Sequence, residues 1–277
     1  MKFFRSRSGI IFTGLLAFVF LFCSDTFAAK KKSKAHRVTA RSAIFSNSTK
    51  GVRLYGKNVE TTVVPASTTK VMTALLVLEN LSLDSVVTVS SRATYVQPSK
   101  IYLKPGERYK VSELLYAMLI SSANDASVVL AEAVSGSEWE FVKKMNARAK
   151  QLGAKKTKFM NSHGLPTKQS QYTTAYDMYL MFREALKYPF FKKALSYKYK
   201  TIVSQSGKKT YLKNHNKLLW KSWGQNIYGK TGYTRKARSC FVGYLDGKKD
   251  TMIIAVFGCD QRWDDIKTIV ARYIHSR

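Results

Sequence analysis

The hydrophobic pattern changes period twice along the chain. Near the start, Ser42-Ala43-Ile44-Phe45-Ser46 and Val52-Arg53-Leu54-Tyr55 are short strand-forming runs. The turn residues Asn47 to Gly51 lie between them, which predicts a hairpin. From Pro65 to Asn80 the pattern becomes helical, and after Lys70 it is almost wholly apolar. A helix apolar on every side belongs inside a protein. Ser82 to Gln97 reads as loop and short strand, and Lys104-Pro105-Gly106-Glu107 as a turn. Ser112 is placed to cap a helix from Glu113 to Ile120, and Asn124 or Asp125 to cap a second from Ala126 to Val134. Trp139, Val142, Met145, Ala149 and Leu152 recur at helical spacing, with Gly153 as the stop. Thr174-x-x-Asp177 has the form of a capping box, opening a helix that ends before Pro189. Past Leu195 the period shortens. Lys198–Ser204 and Thr210–Lys213 predict short strands, and Tyr228–Tyr233, Ser239–Leu245 and Met252–Phe257 longer ones, with Asp246-Gly247 turning the last pair. Ile266, Ile269, Val270, Tyr273 and Ile274 mark a closing amphipathic helix. Strands at both ends with helices between predict one mixed sheet completed by the two termini, with a helical lobe inserted.

Length and charge narrow the class. The 277 residues suffice for one large domain or two intimate subdomains, and 45% hydrophobic content makes the chain globular. The formal net charge is +30, which predicts attraction to polyanions. Residues 1–28 have the form of a secretory signal, with Lys2, Arg5 and Arg7 ahead of the apolar run Ile10 to Phe22. Small residues at Thr26 and Ala28 place cleavage after Ala28. Lipidation at Cys23 is disfavoured by the bulky Phe22, and an uncleaved anchor is the other alternative. Removal of residues 1–28 leaves a charge of about +28. Residues 29–41 are a basic linker, read as a flexible tether, and 42–277 form the folded domain. The expected location is therefore outside the inner membrane, in the periplasm or cell envelope. There the anionic partners are envelope polymers and substrate carboxylates, not nucleic acid. Cys240 and Cys259 either form a disulfide or are two buried thiols; both readings stand. The four histidines lack metal-ligand spacing, so no metal and no cofactor is expected.

Three short motifs carry candidate chemistry. Ser67-x-x-Lys70 places a hydroxyl and an amine one turn apart at a buried helix start. An amine whose pKa is lowered by burial and nearby positive charge can take the serine proton. The helix N-terminus adds free N–H groups suited to an oxyanion. Alone, such a pair is more often a chance feature of a solvated helix start, but a buried helix does not carry a lysine there without a partner or a task. Ser122-Ala123-Asn124 lies at a break between apolar helices. It is either a capping turn or a hydroxyl and amide facing a pocket. Lys230-Thr231-Gly232-Tyr233 lies on a predicted strand. Its bland reading is a solvated strand end. Its functional reading is a carboxylate site, with Gly232 allowing a peptide to add along the strand edge. The N–H groups of Ser67 and Tyr233 would then face the reacting carbonyl oxygen.

Together, in this order, the three motifs resemble those of penicillin-binding proteins and serine β-lactamases. The wording Pro65-Ala66-Ser67-Thr68-Thr69-Lys70, Ser122-Ala123-Asn124-Asp125-Ala126, His163-Gly164-Leu165 and Lys230-Thr231-Gly232-Tyr233-Thr234 is similar to D-alanyl-D-alanine carboxypeptidases. The resemblance covers roughly Ala40 to the C-terminus. It implies an α/β, β-lactamase/transpeptidase-like fold: an antiparallel sheet flanked by helices plus an inserted helical lobe. It also implies a serine D,D-carboxypeptidase acting on peptidoglycan stem peptides, with β-lactams as covalent inhibitors. Ser67 would be the nucleophile, Lys70 its base and Ser122 a proton relay. Asn124 would hold the peptide, and Lys230 and Thr231 the terminal carboxylate. Arg238 stands where relatives carry a small residue, either as a second clamp or as a solvated strand end. His163 is expected to be structural. The absence of a C-terminal β-rich domain and anchoring tail implies the short form. The runner-up activity is a D,D-endopeptidase of cross-links. A β-lactamase is disfavoured because Glu184, mid-helix, is the only acidic candidate of that type between His163 and Lys230. A non-catalytic cationic wall-binding protein is the reading from a different class.

Overall fold

The computed structural model describes residues 37–274 apart from 221, 222 and 248. The expected signal segment and most of the basic linker lie outside these. The chain opens with β1 (Ser42–Asn47) and β2 (Val52–Lys57), the expected hairpin. A 3-10 turn over Ala66–Thr69 then leads into α1 (Lys70–Asn80). After β3 (Val86–Thr88), α2 (Ser91–Thr94) and β4 (Arg108–Lys110) comes the helical lobe. It comprises α3 (Val111–Ile120), α4 (Asn124–Ser135), α5 (Glu138–Gln151), α6 (Ala175–Ala185) and α7 (Pro189–Ser196). The strands β5 (Tyr199–Val203) and β6 (Lys209–Lys213) follow, then β7 (Tyr228–Thr234), β8 (Arg238–Asp246), β9 (Thr251–Cys259) and α8 (Arg262–Ile274).

Five strands form the main sheet in the order β2-β1-β9-β8-β7, so both ends of the domain complete it as expected. Every pairing is antiparallel, which corrects the expectation of a mixed sheet. Residues of β9 are buried on both faces. Ile254 and Val256 meet Ile266, Ile269 and Val270 of α8, while Ile253, Ala255 and Phe257 join the core under α1 and α6. This two-sided cover explains why β9 reads as a continuous apolar run, not an alternating one. The predicted strands at Lys198–Ser204 and Thr210–Lys213 pair only with each other, outside the main sheet. Helix α1 is buried from Lys70 to Val77, as its all-round apolarity requires.

Several capping expectations are corrected. Helix α3 starts at Val111 after Lys110 and has no side-chain cap, so Ser112 lies inside it. Asn124 and Asp125 are likewise inside α4, after Ala123. The Asp125 carboxylate instead accepts N–H bonds from Ile101, Leu103 and Ala126, fixing the loop ahead of β4. Thr174 caps α6 by accepting from Asp177 N, but the Asp177 carboxylate turns away to Lys156 N and the Thr157 hydroxyl, so the box is half closed. Helices α2 and α7 were not foreseen; Pro189 opens α7 at its first turn, where its missing N–H costs nothing. The end of the basic linker is not a tether. Ala40 is buried, and Thr39 donates through N and Oγ1 to the two Asp265 oxygens of α8, each at 2.7 Å. Among the described residues no helix is long and apolar enough to cross a membrane.

Cys240 and Cys259 are free, buried thiols, the second of the two readings. Burial pushes the Cys240 thiol up to about 11 and raises Cys259 as well, so neither is a ready nucleophile. Native protein at neutral pH should take up iodoacetamide at neither residue, and both should alkylate after unfolding without reductant. An unmodified pair in the unfolded protein would show a disulfide instead.

Candidate active site

The turn that carries Ser67 is built by close approach of backbone. Thr68 returns its N–H and its hydroxyl to the Pro65 carbonyl, at 3.3 and 2.7 Å, which closes the 3-10 turn around Ser67. Ala66 holds φ +49 there, a left-handed conformation unusual for a residue with a side chain. Two glycines admit this turn. A methyl on Gly164, which has φ +88, would overlap the Ala66 carbonyl. A methyl on Gly232 of β7 would come within 3.1 Å of Ala66 Cβ and Ser67 N. Gly232 therefore lacks a side chain so that β7 can lie against the serine turn, a different reason from the ligand approach expected of it.

Lys70 begins α1 and is fully buried. Its Nζ donates to Asn124 Oδ1 at 2.6 Å and to the His163 carbonyl at 2.8 Å, and lies 3.2 Å from Ser67 Oγ. Burial, reinforced by the Lys230 charge, holds its pKa well below the ordinary lysine value, against the opposing pull of Asp125. A neutral amine has two N–H groups and one lone pair. The two carbonyl oxygens can accept only, so they take both N–H groups. The lone pair is left for the Ser67 hydroxyl, whose proton it can accept. Asn124, expected on the substrate, has its carboxamide engaged within the protein: Oδ1 with Lys70, and Nδ2 donating to the Gln97 carbonyl at 2.7 Å.

Ser122, at φ +60, is buried and accepts from Lys230 Nζ at 2.9 Å. Its own hydroxyl proton is thus free to point elsewhere. Lys230 Nζ also donates to the Thr231 carbonyl at 3.0 Å, so a protonated Lys230 keeps one N–H for a ligand. Burial, with Arg262 nearby, pushes Lys230 down to about 7. Thr231 is buried beside it, whereas the Tyr233 side chain is exposed. The structure thus brings Ser67, Lys70, Ser122, Asn124, Lys230 and Gly232 together through hydrogen bonds or direct backbone packing.

Other groups escaped sequence reasoning. Arg262, which no sequence motif singles out, is half-buried and donates to the carbonyls of Gly232 and Cys240 at 3.0 and 2.8 Å, bracing β7 from behind. The His163 carbonyl, not its ring, serves Lys70, and no side-chain signal announces a carbonyl. Burial, with Lys70 adjacent, holds the ring pKa at about 3, so it stays neutral. Glu138 orients this segment by accepting from Ser162 N and Oγ at 2.9 and 2.6 Å. Arg238 pairs with Asp260 at the exposed end of β8, the solvated reading, and Glu184 pairs with Lys187 and Arg148 on α6. Among the described residues no three metal-ligating side chains gather.

The sequence pattern of the peptidases described as D-alanyl-D-alanine carboxypeptidases matches residues 28–261. The chain belongs to this family. It is 39% identical over 262 residues to the D-alanyl-D-alanine carboxypeptidase DacF of Bacillus subtilis, covering 90% of this chain but 66% of that protein. It is 31% identical over 241 residues to a D-alanyl-D-alanine endopeptidase of Pseudomonas aeruginosa, covering 82% of this chain and 77% of that one. The crystal structure of a D-alanyl-D-alanine carboxypeptidase of Mycobacterium tuberculosis superposes with a TM-score of 0.79 at 31% identity, over 87% of this chain and 93% of that one. The antiparallel sheet and helical lobe of this carboxypeptidase-family chain are therefore those of the penicillin-binding fold.

The glycine between the carboxypeptidase motifs yields a test. Gly164→Ala forces a methyl against the serine turn at a left-handed position, so it should cost about 2–4 kcal/mol in denaturant unfolding. It should also slow labelling of Ser67 by a fluorescent penicillin more than labelling by the same reagent is slowed in a Gly136→Ala control, where the added methyl meets open space.

Proposed function

We propose that this chain is a serine D,D-carboxypeptidase that removes the terminal D-Ala from peptidoglycan stem peptides, outside the cytoplasm. The observation that carries this reading is the buried Lys70 amine, held by two carbonyls with its third contact on Ser67 Oγ. Ser67 Oγ attacks the carbonyl carbon of the D-Ala–D-Ala bond while Lys70 Nζ takes its proton. The carbonyl oxygen becomes an oxyanion, received by the backbone N–H groups of Ser67 and Tyr233. Ser122 carries a proton to the departing amine, the C–N bond breaks, and D-Ala leaves as the acyl-enzyme remains. Water then cleaves the ester, restoring the Ser67 hydroxyl and releasing the shortened peptide. The Lys230 ammonium holds the substrate's terminal carboxylate with its remaining N–H, and Thr231 assists. A β-lactam carries a carboxylate and a strained amide into the same site, but its amine cannot depart.

Intact mass after incubation with a penicillin should show one adduct, and peptide mapping should place it on Ser67. A folded protein without an adduct would remove the proposal. Stem-peptide dimers and pentapeptides then separate the alternatives: release of D-Ala is expected to exceed cleavage of cross-links, and the reverse would make the enzyme an endopeptidase.

The free enzyme loses the Lys230 proton near pH 7, because burial and Arg262 depress its pKa. Bound carboxylate has the opposite sign and holds that proton. For a soluble peptide, kcat/KM should therefore fall above pH 7 while kcat does not, since the first reports the free enzyme and the second the complex. A kcat/KM that is flat from about pH 6 to 9 would refute this assignment of Lys230.

A further inference from the structure

One face of the small β5–β6 hairpin gathers exposed aromatic rings. Ile202 and Leu212 point inward and are buried. The opposite face presents Tyr199, 42% exposed, and Tyr211, 62% exposed. Their rings stack at 5.2 Å, and Trp220 meets Tyr199 edge-on at 4.6 Å. Lys198 and Lys213 lie over the Trp220 ring, at 6.0 and 5.7 Å. From Ala185 to Leu245 the sequence has 14 Lys and Arg residues and no Asp or Glu, so this face lies in the most one-signed stretch of the chain.

The face is tied to the segment that carries Ser122. Ser121, immediately before Ser122, accepts from Lys213 N at 3.1 Å and donates to the Lys213 carbonyl at 3.3 Å. A cleft of about 440 Å³ is lined by Ser121, Tyr211, Lys213, Lys100 and Tyr102 among others. A second cleft, of about 680 Å³, continues past Lys213 to Trp220.

We infer that the β5–β6 face, with Trp220, seats the glycan strand from which the stem peptide hangs, so that the chain acts on assembled peptidoglycan and not only on free peptide. This inference rests on the proposed activity and names the polymer presented to that same site. Exposed, pre-stacked aromatic rings offer flat apolar faces to the C–H faces of sugar rings with little ordering cost. The lysines around them complement the carboxylates that stem peptides carry along the strand, and the field of the acid-free stretch draws such a polyanion in. The Ser121–Lys213 tie sets this face one residue along the chain from Ser122.

The test uses the mature protein and purified peptidoglycan sacculi stripped of phosphate polymers, in a pelleting assay at physiological salt. Tyr199→Ala/Tyr211→Ala should bind these sacculi about tenfold more weakly than wild type. It should still be acylated by penicillin, and turn over a short acyl-D-Ala-D-Ala peptide, at the wild-type rate. Unchanged sacculus binding by the variant would overturn the inference. So would equal loss of short-peptide turnover, which would make the face a structural support of the site. Wild-type binding that disappears when the phosphate polymers are stripped would also overturn it, in favour of an anionic polymer as the occupant. Binding needs no turnover, so the two claims separate: wild type that binds stripped sacculi through this face but resists penicillin would keep the surface and remove the proposed activity.

Discussion

The structure turns on one buried amine. A lysine sealed inside a protein cannot remain an unsatisfied cation, because its desolvation outweighs what a few neutral acceptors return. Lys70 meets this constraint by losing its proton affinity and finding two carbonyl acceptors, Asn124 Oδ1 and the His163 backbone oxygen. Each acceptor needs its own support. Asn124 is held through Gln97, and the 161–165 segment through Glu138 and Asn161. Gly164 and Gly232 then let backbone from two other parts of the chain close on the serine turn.

A second buried lysine, close enough to act on Lys70 by its charge, has different contacts. Lys70 in its neutral form has both N–H groups engaged and a lone pair toward Ser67. Lys230 donates to Ser122 and the Thr231 carbonyl and, when protonated, has an N–H left over. The difference lies in the third contact: Lys70 has Ser67 Oγ there, while a protonated Lys230 keeps an N–H for a ligand. The two charges also oppose each other, which keeps Lys70 neutral when Lys230 is charged. Arg262 contributes from behind, bracing the β7 carbonyl and depressing Lys230. An anionic ligand entering this pocket therefore meets the Lys230 ammonium, with the Arg262 charge behind it, as long as Lys230 keeps its proton.

The helical lobe and the sheet have separate tasks in this arrangement. The sheet, covered on both faces, carries β7 at its edge, and the lobe supplies Ser122 from the α3–α4 break and Asn124 from the first position of α4. Asp125 ties that break to the loop at Ile101 and Leu103. The basic hairpin is joined to the same break through Ser121 and Lys213. A surface that recruits polymer can thus be placed beside the reacting groups without being part of them.

Local chemistry determined a great deal here. Apolar periodicity located most of the longer elements, because burial of one face or of all faces leaves its mark on residue type. Ser67, Lys70, Ser122, Asn124 and Lys230 were legible as candidates because hydroxyl, amine and amide chemistry needs particular side chains, whereas Gly232 was picked out for ligand approach and serves backbone packing on the serine turn. The caps of α3 and α4 were misread because Ser112 and Asp125 suit an N-cap locally while tertiary contacts decide where a helix begins: Asp125 is used on a distant loop. Short α2 and α7 left too little periodicity to detect. What only the tertiary structure decided is carried by backbone and distance. The His163 carbonyl on Lys70, the overlap avoided at Gly164, the Arg262 brace and the separation of β5–β6 from the main sheet all depend on segments far apart in sequence. A backbone carbonyl is the same in every residue, so its role cannot be read until folding brings it beside the group it serves.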